Sequence, residues 1–444
     1  MSPTSWPSSP PRSPASSPGR TSSWTASSTT SDRPVPEAEP RPPWVAALGV
    51  ALLMQTVSAC LTRVFPVLAP ALTQAAGVPE GSIGLLASVG SAGTMAWLVL
   101  GNGVMAQLGA VRTLQFGAVL GVAGLLLAVA GSWAALLLAS LLIGLGYGPS
   151  PPAGSDLLRR HAPARHRSLV FSIKQSGVPL GGAVAGLAVP LLLLGGDWRW
   201  ACLGIALPAL AATLLSEVFR RRIDRPGPAR FSLRAALRPA QMAAPFRLLV
   251  AQRGLLGVSY VSLAFAVAQG SVFAFLVLYL TARHGFSLAE AGSAFAAMQG
   301  VGVAGRILVG WLADRAGSAR HVLVMLAFAS AAVTALLAAI GPAWPAAAVV
   351  GLSALGGIAI ASWNGVFMAE VSGMVPEPQV GEATAATTFV TFIGYVLGPA
   401  LVGACLALGT GYGAAFLAVA ALPFTGGLVL LLSRAGPAAS QPDR

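Results

Sequence analysis

Charge is what this chain has least of. Among 444 residues, Asp, Glu, Lys and Arg together make up 9%, against about 25% in a typical soluble domain. With 55% apolar residues, so few charges cannot cover a water-facing surface. That excludes a soluble globular protein and leaves a polytopic membrane protein. Cysteine is scarce too: Cys60, Cys202 and Cys405 all fall inside apolar runs, with neither a disulfide framework nor a metal-ligand spacing. The four histidines, His161, His166, His284 and His321, stand at the ends of runs or between them, so no buried His cluster suggests metal or acid–base chemistry. The phosphate-cradling pattern G-x-x-x-x-G-K-[ST] is missing as well, which argues against nucleotide-driven pumping by this chain. No enzyme activity, cofactor or metal is expected.

Two further scarcities concern charge inside the membrane. None of the fourteen acids lies in the middle of an apolar run; those nearest, Asp156, Glu217, Glu370 and Glu382, sit at run ends. A buried proton-relay carboxylate, or an acid gripping an organic cation, is therefore not expected. Lysine occurs once, as Lys174 in SIKQSGVPLGG, beside 26 arginines. A chain that otherwise always chooses arginine would have supplied one here if any cation sufficed, since ammonium is a compact charge and guanidinium a planar fork.

What is present is a series of apolar runs, most near the ~20 residues a spanning helix needs: 44–68, 82–104, 113–132, 134–157, 168–194, 199–218, 254–280, 289–312, 321–340, 343–368, 383–408 and 412–433. The reading is an all-α membrane protein of twelve spans in two parallel six-helix halves, 44–218 and 254–433, joined by a central cytoplasmic loop, 219–253. Residues 1–43, rich in Ser and Pro, are expected to form a disordered cytoplasmic tail, and 434–444 a second, short one. The formal charge of +13 needs no nucleic acid to explain it. Arg112, Arg159, Arg160, Arg165, Arg167, the arginine-rich central loop, Arg315 and Arg320 all fall on one side of the alternating topology, against Arg199 and Arg283 on the other. The positive-inside rule then puts both termini in the cytoplasm, in a multi-pass protein of the cell membrane.

The halves repeat. Gly77–Arg112 aligns without gaps to Gly285–Arg320, and GVPLGGAVAG (177–186) to GYVLGPALVG (394–403). Parallel repeats flanking a midplane site are a transporter architecture. GWLADRAGSAR, at 310–320, resembles the signature of the major facilitator superfamily between its eighth and ninth helices, and the resemblance covers residues 44–433. In the first half, NGVMAQLGAVR (102–112) departs from it, with Ala106 and Gln107 where Asp and Arg would stand. The resemblance implies secondary transport by alternating access, with a cytoplasmic charge latch in the second half built from Gly310, Asp314, Arg315, Gly317 and Arg320 and paired to Glu370. Asp156 is the first-half counterpart of Glu370, and Arg306 is grouped with this cytoplasmic end. YGPSPPAGSDLLRRHAP with SIKQSGVPLGG is similar to bacterial transporters of small anions within the superfamily.

Three cations are set into runs: Arg63, Lys174 and Arg306. A charge in the bilayer normally faces a cavity or a partner, and with no acid to pair them a small anion is the expected passenger. Lys174 is expected to hold it at a central cavity, with Arg63 nearer the outer mouth. Gln55, Tyr147, Gln175, Gln269, Gln299, Trp363 and Asn364 are candidates to orient it. The expected partners are a small-molecule substrate, a coupling proton and membrane lipid, with no nucleic acid, and the chain is expected to act as a monomer. Export of lipophilic compounds by antiport and a non-transporting membrane sensor are the rival readings.

Overall fold

The computed structural model describes residues 43–163, 166–224, 247, 249–250, 252–341 and 343–433. The expected tails, Arg165 and most of the central loop lie outside the described residues. Among those described, the chain is helical throughout, with no strand. In chain order the helices are α1 (Pro43–Ala76), α2 (Ser82–Leu100), α3 (Asn102–Leu108), α4 (Ala110–Ala128), α5 (Trp133–Tyr147), α6 (Ser150–His161), α7 (Arg167–Gln175) and α8 (Gly177–Leu193). They continue as α9 (Trp198–Ile223), α10 (Arg253–His284), α11 (Leu288–Ala316), α12 (Ala319–Ala338), α13 (Ala346–Ala359), α14 (Asn364–Gly373), α15 (Val380–Ala407) and α16 (Gly411–Leu432). Twelve stretches of the described chain are long and apolar enough to cross a membrane. Most begin and end within a few residues of the runs read from hydropathy. The first is an exception: α1 passes through Pro66 and Pro70 to Ala76, with Val67, Leu68, Ala69 and Leu72 buried in the core around the prolines.

Three spans are interrupted along their length, and proline accounts for two of the interruptions. Pro149, Pro151 and Pro152 have no N–H to return to the turn before them, so the fourth span divides into α5 and α6 around Gly148 and Pro149. Pro179 likewise has no N–H for the carbonyl of Gln175, four residues back, and the fifth span divides at Ser176. The tenth span divides between Ala359 and Asn364. Broken backbone is tolerated inside a membrane protein only where protein or a cavity satisfies it.

Helices come together where side chains are smallest, because lipid supplies no hydrophobic drive between them. A Cβ on Gly144 would lie 1.8 Å from the carbonyl oxygen of Gly90, and one on Gly357 2.1 Å from that of Met298. The same device closes one end of the bundle across the first and second sets of spans. A Cβ on Gly84 would meet the Pro399 carbonyl at 2.2 Å, Gly81 and Gly403 face each other, and so do Gly186 and Gly292. At this end the Tyr412 hydroxyl donates to Glu80 at 2.8 Å, and Arg283 lies 3.8 Å from the same carboxylate. The glycine contacts between the two sets of spans thus gather toward this end, which is the zipped end of the bundle.

Candidate functional site: a cationic cavity between the two sets of spans

Four side chains from four helices share one electrostatic neighbourhood at mid-depth: Arg63 of α1, Tyr147 at the end of α5, Arg306 of α11 and Tyr395 of α15. All four are deep in the molecule, yet each keeps accessible surface. Partial accessibility at such depth makes them the candidate wall of a cavity between the two sets of spans. The Arg63 guanidinium lies 4.6 Å from the ring centroid of Phe273 on α10. Arg306 Nη1 donates at 3.2 Å to the Gln175 carbonyl, the one that Pro179 leaves without a helical partner. The Nε–H groups of both arginines have no acceptor among the described residues. None of the ion pairs formed among those residues involves either arginine. Two guanidiniums, one from each set of spans, therefore share one neighbourhood with no acid to pair them among the described residues.

The neutral residues divide into two groups. Gln269 is a hub: its Oε1 accepts from the Tyr395 hydroxyl at 2.8 Å and from Trp363 Nε1 at 3.1 Å. Trp363 is itself stacked on Phe265, with ring centroids 5.1 Å apart and planes 8° from parallel. This buried scaffold aims the Tyr395 hydroxyl, and Asn364 lies beside the same hydroxyl. Across the cavity, Gln55 lies beside Tyr147. Gln299 is buried against Gly182 where α8 meets α11, with its Nε2 unpartnered.

Two sequence-based placements change. Arg306, grouped with the cytoplasmic gate, neighbours Arg63, Tyr147 and Tyr395 instead; the hydropathy run could not say which way its side chain turned. Lys174, expected on the cavity wall, is only 1% exposed. Its Nζ donates to Gln175 Oε1 at 3.1 Å and to the Pro151 carbonyl at 3.4 Å, and its chain packs on Gly154 near Ala51. It lies inside the first set of spans, behind Gln175. One wall residue, Tyr395, went unnoticed in the sequence. The available signal was its position four residues before Pro399, the same spacing as Tyr147 to Pro151 and Gln175 to Pro179.

Toward the end opposite the zip, Arg320 lies 3.9 Å from Glu370, both largely buried. It also donates to the Leu430 carbonyl at 2.7 Å, to Ser433 Oγ at 2.6 Å and to the Ser433 carbonyl, tying α12 to the end of α16. Arg315 lies over Trp311, and Gly317 closes α11 at φ 62°. Asp314 is exposed and forms no ion pair among the described residues. In the first set of spans Asp156 pairs with Arg159 at 2.7 Å and with Arg160 at 2.6 Å. Near NGVMAQLGAVR an acid arrives from 118 places beyond Ala106: Asp224 accepts from the backbone N–H groups of Ala110 at 2.9 Å and Val111 at 3.0 Å. It caps α4 beside Gly109, whose φ is 84°.

Twelve membrane-length spans, with no strand among the described residues, define a polytopic α-helical membrane protein. Residues 48–370 match the family described as the Major Facilitator Superfamily, and the chain belongs to that family, whose members are transporters rather than enzymes. An uncharacterized MFS-type transporter of Mycobacterium tuberculosis is 28% identical over 281 residues, 62% of this chain and 59% of the relative's own length. A gallate transporter of Pseudomonas putida is 25% identical over 415 residues, covering 84% of this chain and 89% of its own. Among solved structures, a bacterial homolog of the human lysosomal transporter Spinster superposes with a TM-score of 0.67 at 17% identity. It covers 90% of this chain and 100% of that one, and at this identity the likeness shows the fold.

Proposed function

We propose that the protein is a secondary active transporter of a small organic anion, working by alternating access and coupled to protons. One observation carries the reading: Arg63 and Arg306 come from opposite sets of spans into one neighbourhood, each keeps accessible surface, and neither is ion-paired among the described residues. No carboxylate among the described residues balances them. Burying two such charges is unfavourable unless a counter-charge completes the site, and a carboxylate matches the guanidinium fork. An anion bridging the two arginines would offset their mutual repulsion and draw the sets of spans together. Tyr147 would donate to the same oxygens, while Tyr395, whose proton goes to Gln269, would border the site, with Gln55 and Asn364 beside the two rings.

The grouping into six-helix bundles at 44–218 and 254–433 supports rocking about this site. The zip at Gly81, Gly84 and Gly403 would then be one gate, and the Arg320–Glu370 pair part of the other. The arginine distribution supports a cytoplasmic-membrane protein with both termini inside, so that the zipped end faces out. The gallate transporter is a relative whose named substrate is an anion with an aromatic ring, which recommends aromatic carboxylates as first probes. The test is uptake of labelled gallate and benzoate into proteoliposomes under an imposed pH gradient, alongside an organic cation. Saturable uptake of the cation alone would overturn the reading; binding without accumulation would favour a sensor.

A further inference from the structure

The cavity uses two of the three cations set into the spans and leaves the third unexplained. Lys174 is the chain's single lysine. It is enclosed by α1 and α6, and both of its hydrogen bonds go to neutral acceptors, Gln175 Oε1 and the Pro151 carbonyl. The charged and titratable groups on the elements around it are few. On α6, Asp156 is held by Arg159 and Arg160, with His161 beyond; on α1 there is Arg63, three turns further along; across Gln175 there is Arg306. None of the described carboxylates lies within 4.0 Å of the amine. A buried ammonium without a counter-charge is a poor structural choice, and its methylene stem fills a place that an apolar side chain could fill.

Gln175 connects this amine to the cavity. Its side chain accepts from Lys174 and its carbonyl accepts from Arg306, across the interface between the two sets of spans. It is also the last residue of α7, at the break before Ser176. An ammonium can only donate, so it holds Oε1 of Gln175 toward itself. A free amine can also accept, which allows the amide to turn and loosens the backbone carbonyl that Arg306 grips.

We infer that Lys174 carries the coupled proton and signals its state to the anion site through Gln175. The inference rests on the transport reading above. The step is R–NH2 + H+ → R–NH3+ when the segment opens to one side, and its reverse on the other. Only an N–H bond forms or breaks.

The chain's single lysine provides a test with two arms. In the first, the full chain in proteoliposomes is assayed with [14C]gallate in two modes. Lys174→Met is expected to retain exchange of outside label for inside gallate, at a rate that no longer changes with pH. It should lose at least ten-fold of the accumulation driven by an imposed pH gradient, whereas Arg306→Gln should lose both. Gradient-driven accumulation by Lys174→Met at the wild-type level would overturn the inference. In the second arm, wild-type protein labelled with 15N-lysine shows one side-chain Nζ resonance. It is expected to switch between ammonium and amine positions within the pH range over which the protein stays folded. An ammonium signal throughout that range would overturn the inference, even if gallate is not carried and the substrate reading fails, or if Lys174→Met does not fold.

Discussion

Gly84 is the place to test whether the zipped end is a gate. An alanine there would set its Cβ 2.2 Å from the Pro399 carbonyl oxygen, 3.0 Å from that carbonyl's carbon and 3.2 Å from the Cα of Gly403. All three are backbone atoms, so no side chain can swing aside. Relief requires α2 and α15 to part by about 1 Å, a gap at which packed atoms already forfeit a quarter to a half of their attraction. Overpacking of this kind costs roughly 1–3 kcal/mol, and that penalty falls only on the state in which the two helices touch. The gain in helix propensity from glycine to alanine acts in both states and cancels from their ratio. The open-to-closed ratio should therefore rise about 5- to 150-fold. The readout is the labelling rate of Tyr147→Cys by a membrane-impermeant thiosulfonate from the side the zipped end faces, with Cys60, Cys202 and Cys405 replaced. Gly49→Ala, where a Cβ would meet nothing within 4 Å, serves as the control. Labelling that stays at the control rate in monodisperse Gly84→Ala protein would refute the gate.

Four other outcomes are expected. Arg63→Gln should weaken gallate-induced thermal stabilisation at least ten-fold, and Arg63→Lys should not restore it, because an ammonium lacks the planar fork; equal shifts in all three proteins would count against the cavity. Gln269→Leu removes the common acceptor of Tyr395 and Trp363, leaving buried donors at a cost of about 1–3 kcal/mol. It should lower Tm and raise the transport KM together. Asp224→Ala takes the cap from α4 and should destabilise by about 1 kcal/mol, read as a lower Tm with exchange activity retained. Asp197, at the start of α9, accepts the Arg199 backbone N–H at 3.0 Å, and that bond holds its carboxyl below the usual carboxylate range. A depressed folded-state value means that its stabilisation is present at neutral pH and is lost as the pH falls through that value. Asp197→Asn should therefore flatten the acid limb of a Tm-against-pH curve.

Composition and hydropathy determined a great deal about this protein unaided. Twelve runs of spanning length follow from the near absence of charge, since a backbone in lipid must bond within its own segment and few residues interrupt it. GWLADRAGSAR marked the family, and the scarcity of buried acid together with Arg63, Lys174 and Arg306 pointed to positive charge at depth. Direction was beyond the sequence's reach. A cation's run and depth are readable along the chain, but the side it faces depends on helices hundreds of residues away. Only the packing turned Arg306 toward Arg63 and away from the gate, and enclosed Lys174 behind Gln175. The carbonyl that Pro179 leaves open could be read locally, while its partner 131 positions later could not. Tyr395 is illegible along the chain for the same reason: its place comes from Gln269 and Trp363 on other spans. Asp224 caps α4 from the end of α9 through proximity that exists only in three dimensions.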